Sequence, residues 1–130
     1  MSHISASSQD YLETILALTQ EQGAGIRSID IAERMGVSRA SVNRAIGVLK
    51  QAGYIEQERY SLLRLTAAGW AMAQDVEEKH LLLRRFLTDV LHVDAQTAEE
   101  DACKMEHSIS VQTMEKLKCF MRGRERYQRV

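Results

Sequence analysis

SIDIAERMGVSRASVNRAIGVLKQAGYIEQERYSLLRLT, residues 28–66, decides the fold. SIDIAERM predicts a short helix opened by Ser28 and stopped by Gly36. SRASVNRAIGVLKQAG predicts a second helix, capped by Ser38 and stopped by Gly53, with Val42, Ile46 and Leu49 as its apolar stripe. YIEQERYSLLRLT holds β-prone residues interrupted near Arg59, Tyr60 and Ser61, which predicts a small hairpin although its turn lacks Asn-Gly or Asp-Gly. Two short helices on a tight turn, followed by a hairpin, make a winged helix-turn-helix pattern. Ala32 is small where the first helix must let the second approach, and Gly36 stands where the turn calls for a positive φ.

The charge supports a nucleic-acid reading of this segment. From Ile26 to Trp70 seven basic residues face four acids, a net +3, while Asp94–His107 carries five acids against Lys104 alone, a net −4. The whole chain is at −1, which argues against a general nucleic-acid coat and for two separate tasks, anion contact and then cation contact. On the second helix Arg39, Asn43 and Arg44 fall away from Val42, Ile46 and Leu49. The first residues of a recognition helix meet base edges; arginine suits guanine or phosphate, and asparagine suits adenine. Ser38 and Ser41 suit phosphate or base contacts, and Arg59 and Tyr60 suit a wing on the backbone or minor groove. The plain alternative for any one helix is a solvated face with scattered arginines. The combination of helix, glycine turn, helix and hairpin in a basic segment favours DNA.

The flanks are helical. Residues 7–23 place Tyr11, Leu12, Ile15, Leu16 and Leu18 at helical spacing, with Ser7 or Ser8 as the expected cap and Gly23 as the stop. Residues 67–91 read as a long helix with Leu81, Leu82, Phe86, Leu87, Val90 and Leu91 as expected core. Two more helical stretches and a basic tail, RGRERYQRV, follow. Val111, Met114, Leu117, Phe120 and Met121 are candidates for a seam between two copies or for the closure of one core, and Cys119 is expected to be a small core residue. No apolar run approaches the roughly 20 residues a membrane span needs. The first ten residues lack an apolar signal core, so a cytoplasmic protein is expected, with Cys103 and Cys119 as thiols or ligands.

Three places carry metal-capable side chains. Asp10 and Glu13 stand at i, i+3 in the first helix; His80 lies on the long helix; CKMEH gives Cys103, Glu106 and His107 on one helical face. Singly, each has a bland reading: first-turn acids, a partly buried histidine, a surface pair beside a packed thiol. Together their mixed hardness suits Fe(II), Mn(II), Co(II) or Zn(II) rather than calcium or magnesium.

In this order, DYLETI, KHLLLRRFL and DACKMEHSIS resemble the first-helix, linker-helix and metal-helix motifs of the DtxR/MntR family of metal-dependent transcriptional repressors. The resemblance covers nearly all of the chain. It implies a mainly α fold, with a winged helix-turn-helix DNA-binding domain over 1–72 and a helical metal-binding and dimerisation domain over 73–130. The implied protein is a homodimer that binds one or two ions of Fe(II) or Mn(II) per subunit, with Zn(II) or Co(II) as substitutes in vitro, and then grips a palindromic double-stranded operator. No membrane and no small-molecule substrate is implied. The chain ends at Val130, so the SH3-like domain of longer members is expected to be absent. Asp10 and Glu13 match the manganese branch, whereas Cys103 matches the iron branch. Arg84 replaces the iron branch's ancillary glutamate, with Glu99 nearby where another ancillary ligand would be. The competing functions are a metal-independent winged-helix regulator answering an organic ligand, and a metalloenzyme.

Overall fold

The structure is a computed structural model describing residues 4–23, 25–58 and 62–128. The chain forms two compact units, Met1–Val76 and Glu77–Val130.

The first unit opens with α1 (Ala6–Gln22), whose cap is Ser5 rather than Ser7 or Ser8. Three serines compete for the position. Ser5 takes it in an extended conformation and accepts the Ser8 N–H at 3.1 Å, while Ser8 itself is buried. In α2 (Ser28–Met35) the cap position falls on Arg27, one residue earlier than expected; its backbone N–H donates to the Asp30 carboxylate at 3.0 Å. Gly36, in the left-handed region at φ 67°, turns the chain into α3 (Arg39–Gln51), and its N–H donates to Ala32 O. Ser38 caps α3 as expected, accepting Ser41 N–H at 3.1 Å. The stripe of Val42, Ile46 and Leu49 is buried, and joins Leu12, Ile15, Leu16, Ile26 and Ile31 in the core of this unit.

The hairpin pairs β1 (Ile55–Gln57) antiparallel with β2 (Leu63–Leu65), Glu56 opposite Arg64. Ile26 adds an isolated bridge to Leu63. The Glu58 N–H donates to Leu62 O at 2.7 Å and closes the loop in place of a glycine turn. The tip, with Arg59 and Tyr60, lies outside the described residues.

Thr66 locks the hairpin to the start of α4 (Ala67–Arg85). Its hydroxyl donates to Gly53 O at 2.7 Å and accepts Gly69 N–H, and its own N–H donates to Tyr54 O. Gly69 is essential to this joint: a Cβ there would lie 1.9 Å from the Tyr54 carbonyl oxygen. Backbone on both sides leaves little room to relax, so Gly69→Ala should destabilise the first unit by about 1–3 kcal/mol or more. Thermal unfolding followed by circular dichroism checks this; an unchanged midpoint would show that the joint yields.

In the second unit the last turns of α4 pass into a π-helical turn, Phe86–Val90, where one uninterrupted helix was expected. The Thr88 hydroxyl donates back to Arg84 O at 3.1 Å, and Leu91 N–H reaches Phe86 O five residues back. Asp94 then caps α5 (Ala95–Met105) through Thr97 N–H, which also holds the Asp94 carboxyl below its ordinary range. The last helix, α6 (Val111–Gln128), takes in most of the basic tail that the sequence left outside it. Leu83, Leu87, Ala98, Ala102 and Met114 form this unit's core. Leu81 and Leu91, expected there, are exposed, as is Cys119. Among the seam candidates Met114 and Met121 are buried, while Val111 is 73% and Phe120 49% exposed.

Candidate metal centre

The second unit gathers its metal-capable side chains by helical register. Glu99, Cys103 and Glu106 follow one another at i, i+4 and i+7 along α5 and its C-cap, so they share a face. The helix ends at Met105, earlier than CKMEHSIS suggested. Ser108 and Ile109 N–H both turn onto Met105 O, and His107 is delivered by the turn rather than by the helix. His80 comes from α4.

Glu106 is the centre of the group. It is 4% exposed. Its Oε2 lies 3.3 Å from His80 Nδ1 and its Oε1 3.3 Å from His107 Nε2. Cys103 Sγ is 3.7 Å from His80 Nδ1. Taking a carboxylate out of water is costly without a cation close by. Charge-assisted bonds between imidazole and carboxylate close to about 2.7–2.9 Å, and these are longer. Bonds of about 2.1 Å to nitrogen or oxygen and 2.3 Å to sulfur put the neighbouring ligand atoms of a tetrahedral ion roughly 3.4–3.6 Å apart. The observed separations are each close to such an edge, but they run from different oxygens of Glu106, whose two oxygens are too close to be two corners of one tetrahedron, so the residues fit divalent ions of intermediate hardness with Glu106 facing more than one position.

On the other side of His80, Nε2 lies 2.8 Å from Glu99 Oε1, and Glu99 Oε2 is 3.2 Å from the Arg84 guanidinium. Burial pushes the Glu99 carboxyl up, but the hydrogen bonds and charges of His80 and then Arg84 outweigh it and hold the group below its ordinary range. The sequence signalled Glu99 only through resemblance; its i, i+4 spacing to Cys103 already placed the two on one face. Asp10 and Glu13 stand one turn apart on α1 of the first unit, Asp10 exposed and Glu13 half-buried.

On α3 the side chains of Arg39, Asn43 and Arg44 are exposed, opposite the buried stripe. Arg44 Nη2 donates to Ser41 Oγ at 3.2 Å, and the Ser38 hydroxyl donates to Ser41 Oγ at 3.0 Å. The polar face of α3 thus carries the hydroxyls of Ser38 and Ser41 and the Arg44 guanidinium already linked.

A winged helix-turn-helix unit joined to a helical unit in which a buried carboxylate and imidazole meet a second imidazole and the exposed Cys103 thiol defines the class of metal-responsive DNA-binding regulators. The chain belongs to the iron dependent repressor family: residues 3–63 match its N-terminal DNA binding domain and residues 66–128 its metal binding and dimerisation domain. That family is one of DNA-binding repressors, which sets the metalloenzyme alternative aside. The chain is 37% identical over 111 residues to the transcriptional regulator MntR of Escherichia coli, covering 85% of this chain and 70% of that one. It is 34% identical over 118 residues to an uncharacterised HTH-type transcriptional regulator of Methanocaldococcus jannaschii, covering 91% and 94%. The structure of the manganese regulator SloR superposes with a TM-score of 0.77 at 29% identity, over 88% of this chain and 53% of that one. Among the described residues no helix is long and apolar enough to cross a membrane.

Proposed function

We propose that this chain is a cytoplasmic, homodimeric repressor of metal-homeostasis genes that binds a palindromic operator when Fe(II) or Mn(II) is present and has no small-molecule substrate. The observation that carries it is the buried Glu106 carboxylate facing two imidazoles beside a thiol, in a chain whose other unit is a winged helix-turn-helix. His80, Cys103, Glu106 and His107 hold the ion, one or two per subunit, and Asp10 and Glu13 complete the set from the DNA-binding unit. The ion, when bound, would supply positive charge to a set rich in carboxylates.

The chain's own residues do the rest. Without a cation, Asp10, Glu13 and Glu106 repel one another, so the arrangement that brings them together is disfavoured. With their charge offset that arrangement is favoured, which is a shift in population driven by differential binding. In a dimer it sets the two copies of α3 about 34 Å apart, one turn of B-DNA. The exposed Val111 and Phe120 suit the two-fold seam. Cys103 softens the ligand set, which favours Fe(II) and admits Zn(II) or Co(II) in vitro, while the carboxylates keep Mn(II) in range.

Ser38, Arg39, Ser41, Asn43 and Arg44 are the proposed operator contacts on α3, with Arg59 and Tyr60 from the wing. Arg44→Ala should weaken binding to duplexes selected from a random pool by about 1–3 kcal/mol and leave metal uptake unchanged. Fluorescence anisotropy at physiological salt measures it. Unaltered affinity would take Arg44 out of the contact set, and recovery of no preferred duplex by the metal-loaded protein would overturn the operator-binding reading.

A further inference from the structure

His80 has two ring nitrogens, and each meets a different environment. Nε2 is 2.8 Å from Glu99 Oε1. Nδ1 faces Glu106 Oε2 at 3.3 Å and Cys103 Sγ at 3.7 Å. His80, Glu99 and Cys103 offer ligand atoms within 4.8 Å of one another, so they too make a candidate ion site. Two features of the geometry speak against that use. Glu99 lies on the Nε2 edge of the ring and the thiol on the Nδ1 edge, and the lone pairs of those two nitrogens diverge, so no single ion takes both through one imidazole nitrogen. The second Glu99 oxygen is already held by the Arg84 guanidinium at 3.2 Å, a fixed positive charge where another cation would have to sit.

We infer that Glu99, steadied by Arg84, is a positioning residue: it accepts the Nε2–H of His80 and thereby commits Nδ1 to the metal. The inference rests on His80 being a ligand, as proposed above. An imidazole that donates its remote N–H to a carboxylate is fixed in tautomer and in ring orientation, and it is the stronger donor for it. Arg84 contributes by fixing the carboxylate, since it anchors the oxygen that His80 does not use. The side chain of Glu99 is 47% exposed, so its replacement leaves the core of the unit untouched.

The test uses the full chain labelled with ¹⁵N-histidine and loaded with Zn(II), a diamagnetic probe, with His80→Gln assigning the ring signals. The wild type should show His80 metallated at Nδ1 and protonated at Nε2. Glu99→Ala should show a mixture of both ring orientations and a Zn(II) affinity lower by about 10–100-fold, with an unchanged number of ions per chain. Glu99→Gln keeps an acceptor oxygen and should recover the Nδ1 pattern and most of the affinity. A wild-type pattern and affinity in Glu99→Ala would overturn the inference. So would the loss of one ion per chain in that variant, which would make Glu99 a ligand. An unchanged Zn(II) affinity in His80→Gln would instead remove His80 from the ligand set, and that failure is read independently of any change at Glu99.

Discussion

Asp10→Ala combined with Glu13→Ala should yield a dimer that binds its operator no more tightly with metal than without it. The two carboxylates stand one turn apart on α1, in the unit that carries α3, whereas the family's metal binding and dimerisation domain spans residues 66–128. Neither residue belongs to the core of the first unit, so the fold should survive. Allosteric coupling of this kind is typically about 1–3 kcal/mol, or 5–150-fold in affinity, and the double variant should lose that factor. Reciprocity demands that the operator no longer tighten metal binding either. Anisotropy titrations with and without Mn(II), paired with size-exclusion chromatography, separate the outcomes. A dimer that still responds at wild-type metal concentrations would show that these carboxylates do not couple the two units.

Cys103→Glu should move metal preference from Fe(II) toward Mn(II). The thiol lies 3.7 Å from His80 Nδ1, on the same edge of the ring as the buried Glu106. A thiolate is soft. It strengthens Fe(II), Co(II) and Zn(II) more than Mn(II), which is the hardest of the four and the lowest in the affinity order. A glutamate in its place makes the set all oxygen and imidazole. The ratio of Fe(II) to Mn(II) affinity should fall by about tenfold or more, ~1.4 kcal/mol of discrimination. Competition titrations under anaerobic conditions give both affinities for both proteins. An unchanged ratio would mean that the sulfur is an exposed thiol and no ligand.

The winged helix-turn-helix was legible because its signals are local and agree with one another. Val42, Ile46 and Leu49 repeat at the helical period, Gly36 supplies the left-handed turn, and the Ser38 hydroxyl accepts the Ser41 backbone N–H three residues on. The α1 cap was not legible, because Ser5, Ser7 and Ser8 are chemically equivalent and only the packing of Ser8 chooses among them. Leu91 reads as core on an ideal helix. The π turn at Phe86–Val90 inserts a residue into the register and turns the positions after it away from the core. By its charge the tail reads as lying outside the helix, yet α6 carries it to Gln128, since arginine, glutamate and glutamine are good helix formers. At the candidate metal centre the metal-capable side chains and their order were visible, while the contact of Glu99 with His80, 19 residues apart, was fixed only by the fold of the second unit.

The most direct measurement is operator affinity of the intact chain, made anaerobically, first with a chelator and then across titrations of Fe(II), Mn(II), Co(II) and Zn(II). Metal activation predicts weak binding with the chelator and tight, saturable binding with Fe(II) or Mn(II), with the tight complex weakening steeply as salt rises because phosphate contacts release counterions. One and the same affinity with chelator and with metal, at every salt concentration, would contradict it.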